Sequence, residues 1–377
     1  MQFHKFFFDG TDITDLPGNI THPRQALLVP AADSLLARIA SASPGNISLS
    51  QLPSAEVEAV THLIATGVLR SESGRLYFDC PIILDADRQT LADMTIRHAL
   101  HLADILVQHS AQLNAIVASK QDGFPAQRHL YHMLCGGVLD GSMFDHLEEG
   151  GLVTTSKPLA TGANCLTILY EDTPALNQFS DLLLCSFNRL RTESCTFVSF
   201  GDSNGLRRDF YRWFTCRSTS QTALQDTPLD ALLPASLPEL REEAGRQWQR
   251  LMAGHTLSDE WLTIFQHFGY MDQHRPCVPV YTAGECEAFQ QQLDALVAPL
   301  LLPELRAVLA EIATCAQLTA IRHGVSPADL ANEVYHILFG QINEQLVQYG
   351  LVAQPSHTPG EGRYLRCMEM NAYRKRR

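Results

Sequence analysis

The first patterned segment is Phe3-His4-Lys5-Phe6-Phe7-Phe8, an aromatic run closed by Asp9-Gly10, which predicts a short strand ending in a turn. From position 30 to 79 the apolar residues recur first at helical and then at strand spacing. Residues 31–42 predict an amphipathic helix, Pro44-Gly45 a turn, and residues 48–52 a short second helix. Pro53-Ser54 opens a third helix, with Ser54 as its N-cap, that runs to Gly67. Val68-Leu69-Arg70, a Ser/Gly turn at 71–74, and residues 75–78 then predict a hairpin. A long helical stretch over 87–118 sets Leu91, Met94, Ala99, Leu102, Ala103, Ile105 and Leu106 near helical spacing. Helices at 125–135 and 141–149 follow. Gly151-Leu152-Val153 and residues 165–170 then form a second strand pair around Gly162.

The second half repeats this plan. A strand at 196–200 ends in Gly201-Asp202-Ser203-Asn204-Gly205, placed like the first strand and its turn. A Pro/Ser/Thr-rich stretch at 217–238 predicts a loop, and helices follow at 239–253 and 258–268. Pro276-Cys277-Val278-Pro279-Val280-Tyr281 parallels Phe78-Asp79-Cys80-Pro81-Ile82-Ile83. Helices over 286–323 lead to 329–339 and 341–349, and to a last hairpin from 351–353 and 363–369. The repetition is also literal. Ala111-Gln112-Leu113-x-Ala115-Ile116 recurs as Ala316-Gln317-Leu318-x-Ala320-Ile321, and Tyr131-His132-x-Leu134-x-Gly136 as Tyr335-His336-x-Leu338-x-Gly340. Self-similarity in fixed order at a long period indicates a duplicated structural unit.

Three helices followed by a two-stranded hairpin resemble the winged helix-turn-helix superfamily. The resemblance implies a mainly α fold with small β-hairpins (α+β), in two tandem halves, each with two winged-helix-like units joined by long helices. The expected divisions are 1–83 for the first strand and unit, and 84–173 for linking helices and the second unit. Residues 174–281 hold a strand, helices and a degenerate third unit, and 282–377 linking helices and a fourth unit with a basic tail.

At 377 residues the chain is long enough for two or more cores, and 45% hydrophobic with 18% charged residues is ordinary for a globular protein. Ten scattered cysteines, without a CxxC pair or a secretory leader pattern, predict reduced thiols in a cytoplasmic protein, and no apolar run suggests a membrane span. The formal net charge of −13 repels a polyanion at long range, so nucleic-acid contact requires a local basic patch.

In this superfamily the helix before the wing usually enters the major groove and presents Arg, Lys, Asn or Gln to base edges. Glu56, Glu58 and His62 occupy that helix in the first unit, Asp140, Asp145, Glu148 and Glu149 in the second, and Asp259 and Glu260 in the third. Carboxylates there oppose phosphate binding. Only the last unit, with Gln341, Asn343 and Gln345, has groove-like chemistry. Arg363 and Arg366 on its wing, and Arg374, Lys375, Arg376 and Arg377 at the end of the chain, complete a candidate nucleic-acid surface. A second arginine cluster (Arg189, Arg191, Arg207, Arg208, Arg212, Arg217) surrounds Phe210, Tyr211 and Trp213, and is read as one solvated helix face.

Residues 201–205 match G-x-S-x-G between a strand and a helix, and resemble the first block of GDSL-type esterases, which would make Ser203 a nucleophile. The D-x-x-H that supplies acid and base in those enzymes is missing from the chain, and the duplication equates the string with the turn after the first strand. The polar-turn reading is therefore preferred. His129, His132 and Cys135 have helical metal-ligand spacing, yet only the Tyr-His pair persists in the second copy, where Glu333 and Phe339 replace His129 and Cys135. A structural His is the simpler reading. Cys80 and Cys277 are read as small core residues at strand ends.

The expectation is a non-enzymatic, transcription-regulator-like protein without cofactor or metal. Its partners are double-stranded DNA at the last unit, or a protein, including a homodimer. The alternatives are a protein-interaction scaffold that binds no DNA and a Ser203 esterase.

Overall fold

The computed structural model describes residues 1–9, 22–202, 204–218 and 226–371. About 54% of it is helix and 17% strand in small sheets, so the fold is mixed α+β and mainly helical, as the sequence predicts. No helix among the described residues is long and apolar enough to cross a membrane.

The strands are β1 (Phe3–Asp9), β2 (Leu69–Glu72), β3 (Arg75–Phe78), β4 (Ile82–Ile83), β5 (Cys165–Glu171), β6 (Ser186–Arg191), β7 (Cys195–Gly201), β8 (Met271–Asp272), β9 (Arg275–Pro276), β10 (Val280–Thr282), β11 (Ser356–Thr358) and β12 (Gly362–Met370). One sheet has the order β1-β5-β4, and a larger one the order β10-β12-β7-β6 with β11 on β12. The two share a plan. β1 is antiparallel to β5 and β4 parallel to it, while β7 is antiparallel to β12 and β10 parallel to it. Phe6 faces Ile168 as Val198 faces Cys367, and Ile82 faces Leu169 as Val280 faces Met368. In both, the helix after the short parallel strand is capped by its own carboxylate. Asp87 Oδ2 accepts the Leu84 N–H at 2.9 Å, and Glu285 Oε2 the Thr282 N–H at 2.7 Å. A duplicated unit predicts these matches.

The chain divides into two compact units, each drawn from three segments. The first holds residues 1–102, 144–179 and 301–338, and the second 103–143, 180–300 and 339–377. In the first unit, helices Ala32–Ser41 and Ser54–Ala65 lead into the β2–β3 hairpin, as the sequence predicts. Ser73 and Gly74 both have positive φ, the geometry that lets a two-residue turn follow the strand twist. Leu35, Leu36, Leu63, Leu76 and Phe78 are buried between them. The third helix starts at Ser54 behind Pro53 without a side-chain cap, so Ser54 is not the N-cap. Glu56 is buried in an ion pair with Arg38 and does not face solvent.

The second unit repeats that order with helices Leu237–Met252 and Asp259–His267, the β8–β9 hairpin and β10. Ser236 and Glu239 cap the first of these helices reciprocally. Its buried stripe of Leu240, Ala244 and Trp248 joins Phe197, Phe210, Phe265 and Tyr270 in an aromatic core, with Phe197 and Phe210 at 4.6 Å between centroids.

Two expected hairpins do not form. Residues 151–153 and 351–353 are not strands, and their supposed partners enter the two sheets instead. Six consecutive residues of β5 are buried, which demands neighbours on both edges and cover on both faces. β1 and β4 supply the edges. β12 is taken up in the same way by β7 and β10.

Candidate functional site

The residues chosen for groove contact fall in the second unit, on the end of helix Pro327–Gln348 and on β12. Asn343 is fully buried, and its Nδ2 donates to the Leu184 carbonyl at 2.6 Å. It packs inside the unit and presents no edge to a base. Gln341 and Gln345 are half-buried, and Gln341 Oε1 has no hydrogen-bond partner. Arg363 is committed internally: Nε lies 3.3 Å from Asp202 Oδ2, Nη1 3.3 Å from Glu344 Oε2, and Nη2 donates to the Asp181 carbonyl. Two carboxylates on one guanidinium leave no net positive charge for a phosphate. Arg374, Lys375, Arg376 and Arg377 lie outside the described residues. The second arginine cluster is not one solvated face either. Arg207 is fully buried, donating to the Ser186 carbonyl at 3.0 Å and to that of Asp202, and Phe210 and Trp213 belong to the core.

Arg366 is different. Its Nη2 donates to the Arg208 carbonyl at 2.9 Å and to Tyr364 Oη at 2.5 Å, and its guanidinium stands 4.6 Å from the Tyr364 ring centroid. No carboxylate among the described residues pairs with it. It borders a cleft of about 300 Å³ together with Arg128, whose Nη2 donates to the Arg366 carbonyl at 2.7 Å. Gly269, Cys277, Ser356 and Thr358 complete the polar rim, and Phe124, Val278 and Leu365 the apolar wall. Gly269 has φ +69°, and a Cβ there would lie 2.7 Å from Arg366 Nη1, so glycine lets the guanidinium lie against the turn. Cys277 is exposed on this rim, contrary to the core role expected for it. The register explains the difference: Leu169 N–H bonds to Pro81 as Met368 N–H does to Pro279, so Cys80 corresponds to Val278, and both are buried.

The repeated Tyr-His pairs lie in buried polar surroundings. In the first unit His336 stacks on Phe8 at 4.4 Å, and its Nδ1 meets the Asn332 carbonyl at 2.9 Å. Burial lowers its pKa to about 4. One turn away, Glu333 Oε1 accepts the Tyr170 hydroxyl at 2.5 Å, and burial raises this carboxyl from 4.5 to about 7. Sequence reasoning met Glu333 only as a mismatch for His129. Its signal was a Glu three residues before the repeated His. In the second unit the Tyr131 hydroxyl donates to the Phe200 carbonyl at 3.1 Å, and the rings pack at 5.1 Å. His132 is buried, and burial, then Arg128 and His129, push its pKa well below the usual value, against a backbone hydrogen bond at Arg366 that raises it. His129 Nδ1 meets Tyr281 Oη at 2.9 Å, and its Nε2 lies 3.2 Å from Asp122. Burial pushes the Cys135 thiol up, against the thiolate a metal would need. No group of three metal-ligating side chains is assembled among the described residues.

Ser203 lies outside the described residues. Beside it, Asp202 is buried, and its Oδ2 accepts the Arg363 backbone N–H at 2.9 Å. Asn204 donates to Asp181 Oδ1 at 2.5 Å. The carboxylate of this turn is held by an arginine strand neighbour. Comparison of the chain with family models, with curated proteins and with solved structures finds no match.

Proposed function

We propose that this is a non-enzymatic regulatory protein that binds a macromolecular partner through winged-helix-like modules, and that the partner of these modules is a protein. The helix–helix–hairpin order of residues 32–78, repeated over 237–276, supports the modular part of the reading. The observation that carries the choice of partner is the solvent face of helix Ser54–Ala65. It exposes Ala55, Val57, Glu58 and Thr61, with Val57 51% exposed, and it carries no Lys or Arg. An apolar side chain beside a carboxylate suits a protein surface and opposes a phosphate backbone. The internal use of Asn343 and Arg363 weighs in the same direction.

The test is a photo-crosslinking residue, p-benzoylphenylalanine, in place of Val57, with cross-linking in cells. The expected adducts are proteins. Anisotropy with a random duplex at low salt is expected to show no binding. Tight binding that weakens steeply with salt and disappears on deleting residues 374–377 would replace this reading with the DNA-binding one. Ester hydrolysis abolished by Ser203→Ala would replace it with an enzyme.

A further inference from the structure

We infer that the cleft bordered by Arg128 and Arg366 is a binding site for a phosphate group carried by a small ligand. Both guanidiniums line a concavity of about 300 Å³, the lower end of the size range of small-molecule sites. Both are held in place from behind. Arg128 is fastened to the Arg366 carbonyl at 2.7 Å, and Arg366 to the Arg208 carbonyl at 2.9 Å and Tyr364 Oη at 2.5 Å. Each of these bonds uses one Nη2 and fixes the fork without neutralising it. The contrast on the same strand is direct: Arg363 is matched by Asp202 and Glu344, while among the described residues no carboxylate pairs with Arg366 or Arg128. Glu361, which precedes this strand, pairs with Arg208 at 3.2 Å and accepts the Tyr364 hydroxyl at 3.2 Å.

In a chain of net charge −13, two half-buried guanidiniums without counter-charges lower in energy when an anion supplies one. Planar guanidinium forks match the oxygens of phosphate, and the Ser356 and Thr358 hydroxyls on the rim can donate to a further oxygen. Phe124, Val278 and Leu365 in the same lining are suited to an apolar body attached to that phosphate. The occupant is thus a phosphate monoester or the free ion, and the apolar wall favours the ester. This site does not depend on the partner proposed for the modules, because it lies wholly in the second unit.

Cys277 provides the readout, as an exposed thiol on the rim. The full chain is alkylated with iodoacetamide, and modification of Cys277 is followed by peptide mass spectrometry at constant ionic strength. Inorganic phosphate and phenyl phosphate are expected to slow this modification and to raise the Tm, while chloride does neither. Stronger protection by phenyl phosphate assigns a phosphorylated ligand, and equal protection assigns the free ion. Either upholds the phosphate site. Arg366→Gln is expected to weaken protection at least about tenfold, with Arg366→Lys intermediate, because a point charge replaces the fork. Should Arg366→Gln fail to fold, the Ser356→Ala/Thr358→Ala double variant, altered only at exposed positions, is expected to bind several-fold more weakly. Protection no greater than that of chloride, or a folded Arg366→Gln protein protected like the parent, overturns the inference.

Discussion

Glu333 and His336 sit three residues apart in one buried environment, and burial moves their pKa values in opposite directions, to about 7 and about 4. The same cause acts on both, since desolvation penalises whichever form is charged. Near neutral pH the histidine is neutral, so it offers the carboxylate no compensating charge, and among the described residues only the Tyr170 hydroxyl supports the ionised form. The signs follow from linkage. The folded chain holds the Glu333 proton that the unfolded chain releases, so this contribution is fully present below about 4.5 and is lost as pH rises through about 7. His336 works the other way: its contribution is present above 6.5 and is lost as pH falls through about 4. Glu333→Gln keeps an acceptor for Tyr170 and removes one of the two opposing slopes. Urea unfolding across this range is expected to show the variant near parity with the parent at pH 4.5. It should gain on the parent by up to about 3 kcal/mol by pH 7.5. A difference that does not change with pH would mean that Glu333 titrates normally.

At the scale of elements, helix Leu237–Met252 and the turn joining β6 to β7 depend on each other at Gly245. Helix interiors ordinarily gain about 1 kcal/mol from Gly→Ala. Here a Cβ would overlap the Thr192 hydroxyl, which accepts the Cys195 N–H at 3.0 Å and donates to the Cys195 carbonyl at 2.7 Å to close that turn. Packing is expected to override propensity, so Gly245→Ala should lose about 1–3 kcal/mol, read from the urea midpoint. A stabilised variant would show that the helix can move away from the turn. Elements of this kind were legible wherever the pattern was local. The Ser73-Gly74 turn and the helices at 239–253 and 258–268 declare themselves within a few positions, whereas the cap expected at Ser54 does not form. The destination of β5 was not legible, because an unbroken apolar strand says that it is buried and not which neighbours bury it. That of β12 was not legible either, because its mixture of apolar and charged residues suits a half-exposed wing as well as a sheet. The same limit applied to the candidate surface. Arg363 and Asn343 have groove-like side chains, but their partners Asp202 and Leu184 are more than a hundred residues away in sequence. Arg366 is distinguished from Arg363 only by the carboxylates that it lacks.

For the whole molecule, the exchange of segments between units has a consequence that two tandem halves would not share. The first unit takes 301–338 from the second half of the sequence. That segment supplies the Thr319 N–H to buried Asp87 at 2.9 Å, His323 Nδ1 to the Phe78 N–H at 3.3 Å, and Glu333 to Tyr170. The second unit takes 103–143 from the first half, and with it Tyr131 on the Phe200 carbonyl and His129 on Tyr281. A chain cut between the halves therefore gives two fragments, each missing core parts and each exposing a helical segment meant for the other's sheet. Buried polar groups such as Asp87 and Tyr131 would lose their partners along with the apolar contacts, and each such loss costs about 1–3 kcal/mol. That is a large share of the stability of an ordinary domain. Fragments 1–179 and 180–377 are thus expected to show no cooperative thermal transition alone. When refolded together, they are expected to recover one, together with native near-ultraviolet dichroism from Trp213, Trp248 and Trp261. Cooperative unfolding of either fragment by itself would mean that the halves fold as consecutive domains and that the exchange of segments adds nothing to their stability.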